Sequence, residues 1–589
     1  MDLHLHDTPE EVAALPQHHR ATHDEKLIIT ASSLGTVFEW YDFYLYGLLT
    51  AIIAAQFLTG LNPTTSFIMA LLVFAAGFIV RPFGALVFGR IGDLVGRRYT
   101  FIITLLVMGL STFLVGCLPT YKTVGVAAPI MLVVLRMFQG LALGGEYGGA
   151  ATYVAEHAPN NKRGFYTSWI QITATAGLAM ALLIVILVRS PVTGVGEDAF
   201  KAWGWRIPYL ISGLFLVVGL WLRLKLHESP VFQKMKAEGT SSKKPLSEAF
   251  GEWKNLKIVL IAFFGAIAGQ AVVWYTGQLY AMFFLEKMLK IDGLQANTLL
   301  ITALLMGAPF FLFFGWLSDK VGRKPIIMAG CALAALTLFP TFHALTDAAN
   351  PALAKALASA PVKVAADPAE CSSQFDPVGT NKFDTTSCDI VKNALAKAGI
   401  NYENVAAPAG TLATITVGDK AFTAPDPAKV SGDDKKKAIA AFTASVVGAP
   451  AVAAKPAEGD KPAVAAKPAV VGELSKVGYP TKADPKQIDK PKVIGLLFYL
   501  VLLVTMVYGP IAAMLVELFP SRIRYTSMSL PYHIGNGWLG GLLPAIGFAM
   551  VAANGNIYHG FWYPVIVAAA TLVLGLIFLP ETFKRNIDD

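Results

Sequence analysis

The chain has 589 residues, of which 54% are hydrophobic and only 15% are charged. This composition excludes a set of soluble domains and indicates a protein that lies largely within a membrane. The net charge of +8 does not indicate a nucleic-acid partner, because the basic residues lie in loops between apolar runs.

Apolar runs recur along most of the sequence. Each is close to the roughly 20 residues that a helix needs to cross about 30 Å of hydrocarbon. Backbone groups that face lipid must be satisfied within their own segment, so each run is predicted to be an α-helix. The sequence therefore predicts an all-α membrane protein with twelve transmembrane helices. Their approximate bounds are 27–57, 67–88, 100–118, 129–154, 165–188, 207–224, 258–285, 298–317, 325–345, 493–516, 527–553 and 561–580.

The loops between the predicted helices alternate in charge. Lys and Arg lie in every second loop, for example at 97–98 and 323–324, whereas the short loops 58–66 and 554–560 contain neither. The positive-inside rule therefore predicts that the basic loops and both termini are cytoplasmic. The expected location is a bacterial-type inner membrane. The predicted cytoplasmic segments are the tails 1–26 and 581–589 and the linker 226–257.

Two motifs occur once in each part of the chain. GRIGDLVGRR at 89–98 matches GWLSDKVGRK at 315–324, and EHAP at 156–159 matches ELFP at 517–520. The second pair is more widely separated than the first, so the second repeat contains an insertion. The chain is predicted to have two six-helix halves. The first is 27–225, and the second consists of 258–346 (helices 7–9) and 491–580 (helices 10–12), separated by an insert at 347–490.

The insert is rich in Ala, Pro, Lys and Asp and has no membrane-spanning run. Because it follows the ninth predicted helix, helix parity predicts that it is extracytoplasmic. Cys371 and Cys388 both lie in it. The oxidising compartment expected there would permit a disulfide between them, and two free thiols are the alternative.

The two halves and their paired G-x-x-x-D-x-x-G-R-[RK] loops resemble the major facilitator superfamily. Further segments resemble the metabolite:proton symporters of that superfamily, whose members carry α-ketoglutarate, citrate, shikimate, or proline and betaine. These segments are EWYDF at 39–43, RPFG at 81–84, RMFQG at 136–140 and GGEY at 144–147. The resemblance implies the major facilitator fold and a monomeric, proton-coupled symporter of a small organic solute, without a cofactor. It covers the chain except the N-terminal tail and the insert.

Five ionisable side chains lie deep in the predicted helices of the first half, namely Glu39, Asp42, Arg81, Arg136 and Glu146. An ionisable group inside the bilayer costs at least about 2.5–3.5 kcal/mol, so each calls for a function or a partner. Glu39 and Asp42 are three residues apart and share a helix face. Two carboxylates in a dry site are suited to proton uptake. The alternative is that one of them is a fixed ion-pair partner of Arg81 or Arg136.

Arg136 and Gln139 resemble the fourth-helix motif of the superfamily, and this resemblance implies a role in proton handling. A guanidinium keeps its proton in proteins, so Arg136 would pair with a carboxylate or bind an anionic substrate. Glu146 lies in a Gly-rich stretch where helices can approach closely. It either takes part in proton coupling or holds its helix in a buried pair. The predicted proton-coupling residues are Glu39, Asp42, Arg136 and Glu146.

The second half offers polar and aromatic side chains for substrate binding. Gln270, Trp274 and Gln278 form one stripe along the seventh helix, with Tyr275 beside it. This stripe either lines a central cavity or belongs to an interfacial aromatic belt. His533 could titrate near neutral pH or make an ordinary helix contact. The predicted substrate-binding residues are Arg81, Gln139, Gln171, Gln270, Trp274, Tyr275, Gln278, Tyr508, His533 and Asn536.

The repeated loops supply candidates for gating. Asp93, Arg97, Asp319 and Arg323 lie in predicted cytoplasmic loops, too far from the midplane to touch a central substrate. In rocking-bundle transport, ion pairs at such positions would close the cytoplasmic side. Plain positive-inside anchoring is the alternative, but it explains the basic residues and not the aspartates.

The sequence contains no metal-ligand cluster, Gly-x-Ser-x-Gly elbow or phosphate loop, so it predicts no enzyme, no metal and no cofactor. A proton-coupled carrier of a carboxylate metabolite is the leading prediction. A carrier of a zwitterionic osmolyte such as proline or betaine is the alternative. A more distant alternative is a membrane sensor that uses the insert as its ligand-binding domain. The predicted partners are the solute, protons and membrane lipid.

Overall fold

A computed structural model describes residues 23–58, 63–159, 161–224, 228, 230–240, 242–372, 383–449, 469–585 and 587. Most of the predicted N-terminal tail therefore lies outside the described residues. Twelve long helical segments, here α1–α12, follow one another in the order expected from the sequence. They are His23–Phe57, Pro63–Leu94, Arg97–Cys117, Ala127–His157, Arg163–Arg189, Arg206–Leu224, Trp253–Met288, Gly293–Val321, Arg323–Ala349, Lys490–Leu518, Ser521–Val551 and His559–Phe578.

The length and composition of these helices fit a bilayer. Within the described residues, eleven segments, from α2 to α12, are apolar and long enough to cross a membrane. The remaining one, α1, has 35 residues, which corresponds to roughly 50 Å of helix, and packs against α5 and α6. The predicted all-α architecture of twelve transmembrane helices in two halves is confirmed.

The crossing of α2 and α4 positions several charged side chains, and it depends on glycine. A Cβ atom on Gly140 would lie 2.0 Å from the carbonyl oxygen of Gly77, and one on Gly144 would lie 2.2 Å from that of Arg81. Any side chain at either position would push the helices apart. The Gly-rich stretch of α4 therefore allows the close approach that is typical of small-residue helix contacts in membranes.

Two helices of the second half contain wider, π-type turns. In α7 these turns lie at Phe263–Ile267, Thr276–Tyr280 and Phe284–Met288, and in α11 one lies at Ile534–Gly540. Such turns are rare and often occur at functional sites. Here they lie next to Trp274, Tyr275 and His533, which the sequence singled out as candidate binding residues.

The insert forms a small α/β subdomain. Its strands are β1 (Val362–Ala366), β2 (Glu403–Ala406), β3 (Thr414–Val417) and β4 (Lys420–Thr423), in the sheet order β2-β1-β3-β4. β1 and β2 are parallel and are connected through the helix Ser387–Ala398, whereas β1–β3 and β3–β4 are antiparallel. A disulfide joins Cys371, after β1, to Cys388 in that helix.

The described contacts of the insert attach it to the second half. Tyr402 donates its backbone N–H to the Gly555 carbonyl oxygen at 3.0 Å, and Asn401 accepts from the backbone N–H of Ile557 at 2.8 Å. Both contacts involve the loop between α11 and α12. The Lys290 ammonium, after α7, donates to the Pro480 carbonyl oxygen at 3.2 Å. The insert therefore rests on the α7–α8 and α11–α12 loops.

Candidate functional site

Arg223, near the end of α6, is the centre of a buried ion-pair cluster. Its Nη2 atom lies 2.7 Å from Glu39 Oε1 on α1 and 2.5 Å from Glu146 Oε1 on α4. Its Nη1 donates to the Phe101 carbonyl oxygen at 2.6 Å, and Thr104 on α3 donates to Glu146 Oε2 at 2.8 Å. Four helices of the first half therefore meet at one guanidinium.

Asp42 lies one turn from Glu39 on α1 but belongs to a different network. The Ser212 hydroxyl on α6 donates to Asp42 Oδ1 at 2.6 Å. Asp42 and Arg136 interact electrostatically, yet no ion pair within 4 Å joins them in the described part of the chain. The two carboxylates predicted to form a proton-binding pair thus contact different partners, and only Glu39 is paired with an arginine.

Arg136 is held by neutral groups. Its Nη1 donates to Gln139 Oε1 at 2.7 Å, and Gln139 Nε2 donates to the Thr112 hydroxyl at 2.7 Å. The guanidinium also lies 3.8 Å from the centre of the Tyr46 ring, which is a cation–π contact. Gln139, predicted to bind substrate, therefore lies inside the first half, between Arg136 and Thr112.

Arg81 on α2 has no carboxylate partner within the described residues. Its Nη1 donates to the Tyr275 hydroxyl at 3.5 Å, and its Nε and Nη2 have no hydrogen-bond partner in that part of the chain. The guanidinium lies 4.6 Å and 4.7 Å from the ring centres of Phe78 and Phe43. Because buried charges in proteins are normally paired, Arg81 is suited to bind an anion from outside the chain.

Several other buried polar atoms have no hydrogen-bond partner among the described residues, and two of their side chains, Tyr44 and His533, interact electrostatically with Arg81. His533 on α11 interacts electrostatically with Arg81, and neither of its ring nitrogens has a hydrogen-bond partner among the described residues. The same is true of Tyr44 Oη, Thr175 Oγ1, Trp274 Nε1 and both side-chain polar atoms of Gln278. Buried polar groups are usually hydrogen-bonded, so the unpartnered atoms of Arg81, His533 and Tyr44, which interact electrostatically, mark a site for a polar ligand.

Aromatic rings from both halves meet at this site. The Trp274 ring centre lies 5.8 Å from that of Trp40, 6.5 Å from that of Tyr44 and 6.2 Å from that of Tyr508. Trp40 and Tyr44 belong to α1, whereas Trp274 and Tyr508 belong to α7 and α10. Because Trp274 is only 1% exposed, the alternative of an interfacial aromatic belt is wrong for this residue.

The remaining predicted polar residues contact one another. Gln171 on α5 donates to the Tyr147 hydroxyl and to the Tyr508 carbonyl oxygen, both at 2.9 Å, and so joins the two halves. Gln270 on α7 and Asn536 on α11 exchange two hydrogen bonds of 3.1 Å through their side-chain amides. These two amides satisfy each other within the second half.

The two halves also meet where the motif residues lie, on a surface we call the basic face. Asp93, at the end of α2, accepts from the Thr526 backbone N–H of α11 at 2.9 Å. Asp319, at the end of α8, accepts from the backbone N–H groups of Gly164 and Phe165 of α5, both at 2.8 Å. Each aspartate therefore binds the N-terminus of a helix in the opposite half, where the helix dipole favours negative charge.

Buried ion pairs follow the same pattern. Glu156 on α4 pairs with Arg524 on α11 at 3.0 Å, and Glu517 on α10 pairs with Arg163 on α5 at 2.9 Å. Arg323 also contacts Glu517 at 3.0 Å, and Asp319 at 2.8 Å. The motif residues are thus buried at helix ends, not exposed in loops as expected. The Arg97 side chain lies outside the described residues.

The sequence reading missed three arginines that carry these contacts. Arg223 lies almost at the end of the predicted sixth helix and was not counted among the intramembrane charges. Arg163 and Arg524 follow EHAP and ELFP closely, at positions where the sequence predicts basic loops. The glutamates of those motifs, Glu156 and Glu517, recur at equivalent positions of the two repeats. A glutamate at the end of a membrane helix needs a cation nearby, so this recurrence was a signal for the two arginines.

Two helical halves with buried charges in their interior and ion pairs between them are the architecture of the major facilitator class. A family model described as "Sugar (and other) transporter" matches residues 27–360 and 469–589 and leaves out most of the insert. The chain therefore belongs to this family of the major facilitator superfamily. The relatives described below are transporters and not enzymes.

Curated relatives transport several kinds of solute. The proline/betaine transporter of Salmonella typhimurium is 37% identical over 326 residues, which cover 53% of this chain and only 63% of that protein. The alpha-ketoglutarate permease of Escherichia coli is 33% identical over 329 residues, 55% of this chain and 72% of that one. The shikimate transporter of Escherichia coli is 36% identical over 320 residues, 53% of this chain and 71% of that one.

Solved structures agree in fold. The proton:xylose symporter XylE bound to 6-bromo-6-deoxy-D-glucose superposes with a TM-score of 0.59, over 96% of this chain and 98% of that one. The sequence identity is 15%. At this identity the likeness shows the shared fold and nothing about the solute.

Proposed function

We propose that the chain is a secondary active symporter that carries a small organic carboxylate together with protons across the bacterial inner membrane. The single observation that carries this proposal is Arg81. It is a buried guanidinium between the two halves, and no carboxylate in the described residues neutralises it. A carboxylate group of the solute would supply the missing anion and two charge-assisted hydrogen bonds.

The groups around Arg81 support an anionic solute. Tyr44 Oη, Trp274 Nε1 and the one N–H of a neutral His533 ring supply further donors without a partner in the described residues. Two other buried carboxylates of the first half, Glu39 and Glu146, are bound to Arg223 and not to Arg81. The solute would therefore meet one cation and several neutral donors.

Asp42 is the proposed proton-binding residue. It is buried, is contacted by the hydroxyl groups of Ser212 and Thr112, and makes no ion pair within the described residues. A carboxylate in such surroundings is more easily neutralised by a proton than one held by a guanidinium, such as Glu39. Protonation would change the attraction between Asp42 and Arg136, and thereby the contact between α1 and α4.

The proposed cycle is alternating access by the two halves. Asp93, Asp319 and the pairs Glu156–Arg524 and Glu517–Arg163 join the halves at the basic face, which the positive-inside rule assigns to the cytoplasm. These contacts would hold the transporter closed on the cytoplasmic side and break when it opens inward. The insert would then be extracytoplasmic, and both termini cytoplasmic.

A zwitterionic osmolyte is the second candidate, and the aromatic rings favour it. Trp40, Tyr44, Trp274 and Tyr508 lie close together beside Arg81. Aromatic faces bind quaternary ammonium groups through cation–π contacts. Arg81 would take the carboxylate of such a solute, and the rings its cationic end.

An uptake screen tests these proposals. The purified protein would be reconstituted in vesicles with an inward proton gradient and offered radiolabelled α-ketoglutarate, shikimate, citrate, proline and glycine betaine. Accumulation of an anionic acid that a protonophore abolishes is the expected result. Exclusive accumulation of betaine or proline would favour the second candidate. Uptake that is insensitive to the protonophore would overturn the coupling.

A further inference from the structure

The Glu39–Arg223–Glu146 cluster contains more acidic groups than basic groups. Two carboxylates share one guanidinium, and both Glu39 Oε1 and Glu146 Oε1 are within hydrogen-bonding distance of the same Nη2 atom. Because both bind the same nitrogen, the two carboxylate groups lie close to each other. If both were ionised, the cluster would carry a net charge of −1 in the interior of a helical bundle, where an uncompensated charge is strongly unfavourable.

Among the described residues, no second cation pairs with either carboxylate. The charged groups that interact with Glu39 in the described residues are Arg223 and Glu146. On α3, Phe101 contributes a carbonyl oxygen and an aromatic ring, and Thr104 contributes a hydroxyl. The helix α5 also packs on α1 and has no Asp, Glu, Lys or Arg between residues 164 and 188.

One oxygen of the cluster has no hydrogen-bond partner. Glu39 Oε2 is buried and accepts no hydrogen bond from the described residues, whereas both oxygens of Glu146 are used by Arg223 and Thr104. A proton on the Glu39–Glu146 pair would bring the charge of the cluster to zero. It would also allow one carboxyl group to donate to the other.

We propose that Glu39 and Glu146 share one proton across Arg223, and that this site is a second proton-binding site, distinct from Asp42, which loads and unloads during transport. Its place in the fold supports this role. Arg98, in the first turn of α3, contacts the Leu224 carbonyl oxygen beside Arg223, so the cluster lies within a few turns of the basic face. Asp42 is farther from that face along α1. Arg223 is a positioning residue that holds the two carboxylates together.

This inference rests on the proposed proton symport, and one set of variants separates the two. Glu146→Gln keeps the shape of the side chain but leaves one carboxylate for one guanidinium, so the cluster no longer needs a proton. The ratio of protons to solute would be measured from the reversal potential in vesicles. We expect this ratio to fall by one in Glu146→Gln while gradient-driven uptake persists through Asp42. A proton-to-solute ratio in Glu146→Gln equal to that of the wild type would show that the cluster has only a structural role.

Infrared difference spectroscopy of the wild type and its variants provides a second measurement that does not depend on transport. A protonated carboxylic acid has a carbonyl stretch that an ionised carboxylate lacks. The same carbonyl band should disappear in Glu39→Gln and in Glu146→Gln and remain in Asp42→Asn, because a shared proton is lost with either partner. A band that survives in both single variants would overturn the proposal. Absence of proton-driven uptake in the wild type would instead overturn the proposed symport.

Discussion

Arg524 of α11 and Glu156 of α4 form a buried ion pair, with 3.0 Å between Arg524 Nη1 and Glu156 Oε1, across the two halves. The equivalent pair of the other repeat, Arg163 and Glu517, is 2.9 Å long and runs in the opposite sense. Each half therefore contributes one glutamate and one arginine. A rocking motion that separates the halves at the basic face must break both pairs at once.

We expect Asp93→Asn and Asp319→Asn to slow transport more than they weaken solute binding. Both aspartates bind helix N-termini of the opposite half and lie far from Arg81. Losing their charge removes an interaction that stabilises only the state closed at the basic face. Equilibrium binding and initial uptake rates in vesicles would be compared, and near wild-type affinity with slower net uptake is expected.

The matched control is Asp433→Asn. This residue forms an exposed pair with Lys436 on the insert, with side chains 83% and 81% exposed, and its loss should change neither quantity. A large loss of equilibrium binding in Asp93→Asn or Asp319→Asn would instead assign these residues to the solute site.

Arg81→Gln should weaken binding of the carboxylate solute by about 10- to 100-fold. Hydrogen bonds to charged groups contribute about 1.5–3 kcal/mol each, and a factor of ten corresponds to about 1.4 kcal/mol. Arg81→Lys should recover only part of the affinity, because an ammonium cannot make a bidentate contact. Calorimetric titration of the purified variants would measure this.

The control is Arg189→Gln, which removes a guanidinium from a half-exposed pair with Glu197. Its affinity for the solute should remain that of the wild type. If Arg81→Gln also binds as the wild type does, the solute carboxylate is recognised elsewhere, with Arg136 as the next candidate.

Removing the insert should leave a folded membrane protein. The Asp489 backbone N–H donates to the Ala348 carbonyl oxygen at 2.9 Å, so the ends of α9 and α10 are adjacent and a short flexible linker can replace 347–490. The first half folds without an equivalent segment. Detergent-solubilised protein would be examined by size-exclusion chromatography and thermal unfolding, and a monodisperse peak with a lowered melting temperature is expected, because the contacts of Tyr402 and Asn401 are lost.

Aggregation with every linker tested would show that the insert is needed for folding.

The disulfide can be examined separately with Cys371→Ser. A loop of this length contributes about 3 kcal/mol to the stability of its own unit, so the insert should become more sensitive to protease while uptake is unchanged. Labelling of the partly exposed Cys371 in the reciprocal variant Cys388→Ser, with Cys117 replaced by Ser, would test with an impermeant reagent on intact cells that the insert is extracytoplasmic.

The helices, the two halves and the insert could be predicted because hydropathy and the repeated motifs are local signals. Which of the buried charges pair with each other could not be predicted from the sequence. Glu39 and Asp42 share a face in the sequence, but Arg223 and Ser212 on α6, some 170–184 residues away, draw them into different networks. The position of Arg223 gives no signal of a buried partner, because an arginine at the end of a membrane span commonly extends its charged group to the water interface. Which carboxylate meets which cation depends on tertiary packing.

The final prediction assigns gradient coupling to Asp42. A symporter needs a group whose protonation differs between the two membrane faces, and Asp42 is a buried carboxylate with a neutral hydrogen-bond donor, Ser212, and no ion pair within the described residues. Asp42→Asn keeps the size and the hydrogen-bond acceptor but cannot take up the proton. It should therefore lower the number of protons carried per solute by one, reduce the accumulation that a pH gradient drives, and spare exchange of solute between loaded vesicles.

The matched control for this last experiment is Asp434→Asn on the exposed surface of the insert, which should accumulate solute as the wild type does. Uptake would be followed at a fixed solute concentration while the pH gradient is imposed, removed and reversed. In Asp42→Asn the initial exchange rate should remain, while the steady-state concentration ratio of the solute falls to the lower value that the one proton left on the Glu39–Glu146 pair can drive. If this variant still concentrates solute with the pH dependence of the wild type, Asp42 is structural, and the coupling proton must bind at the Glu39–Glu146 pair or at His533.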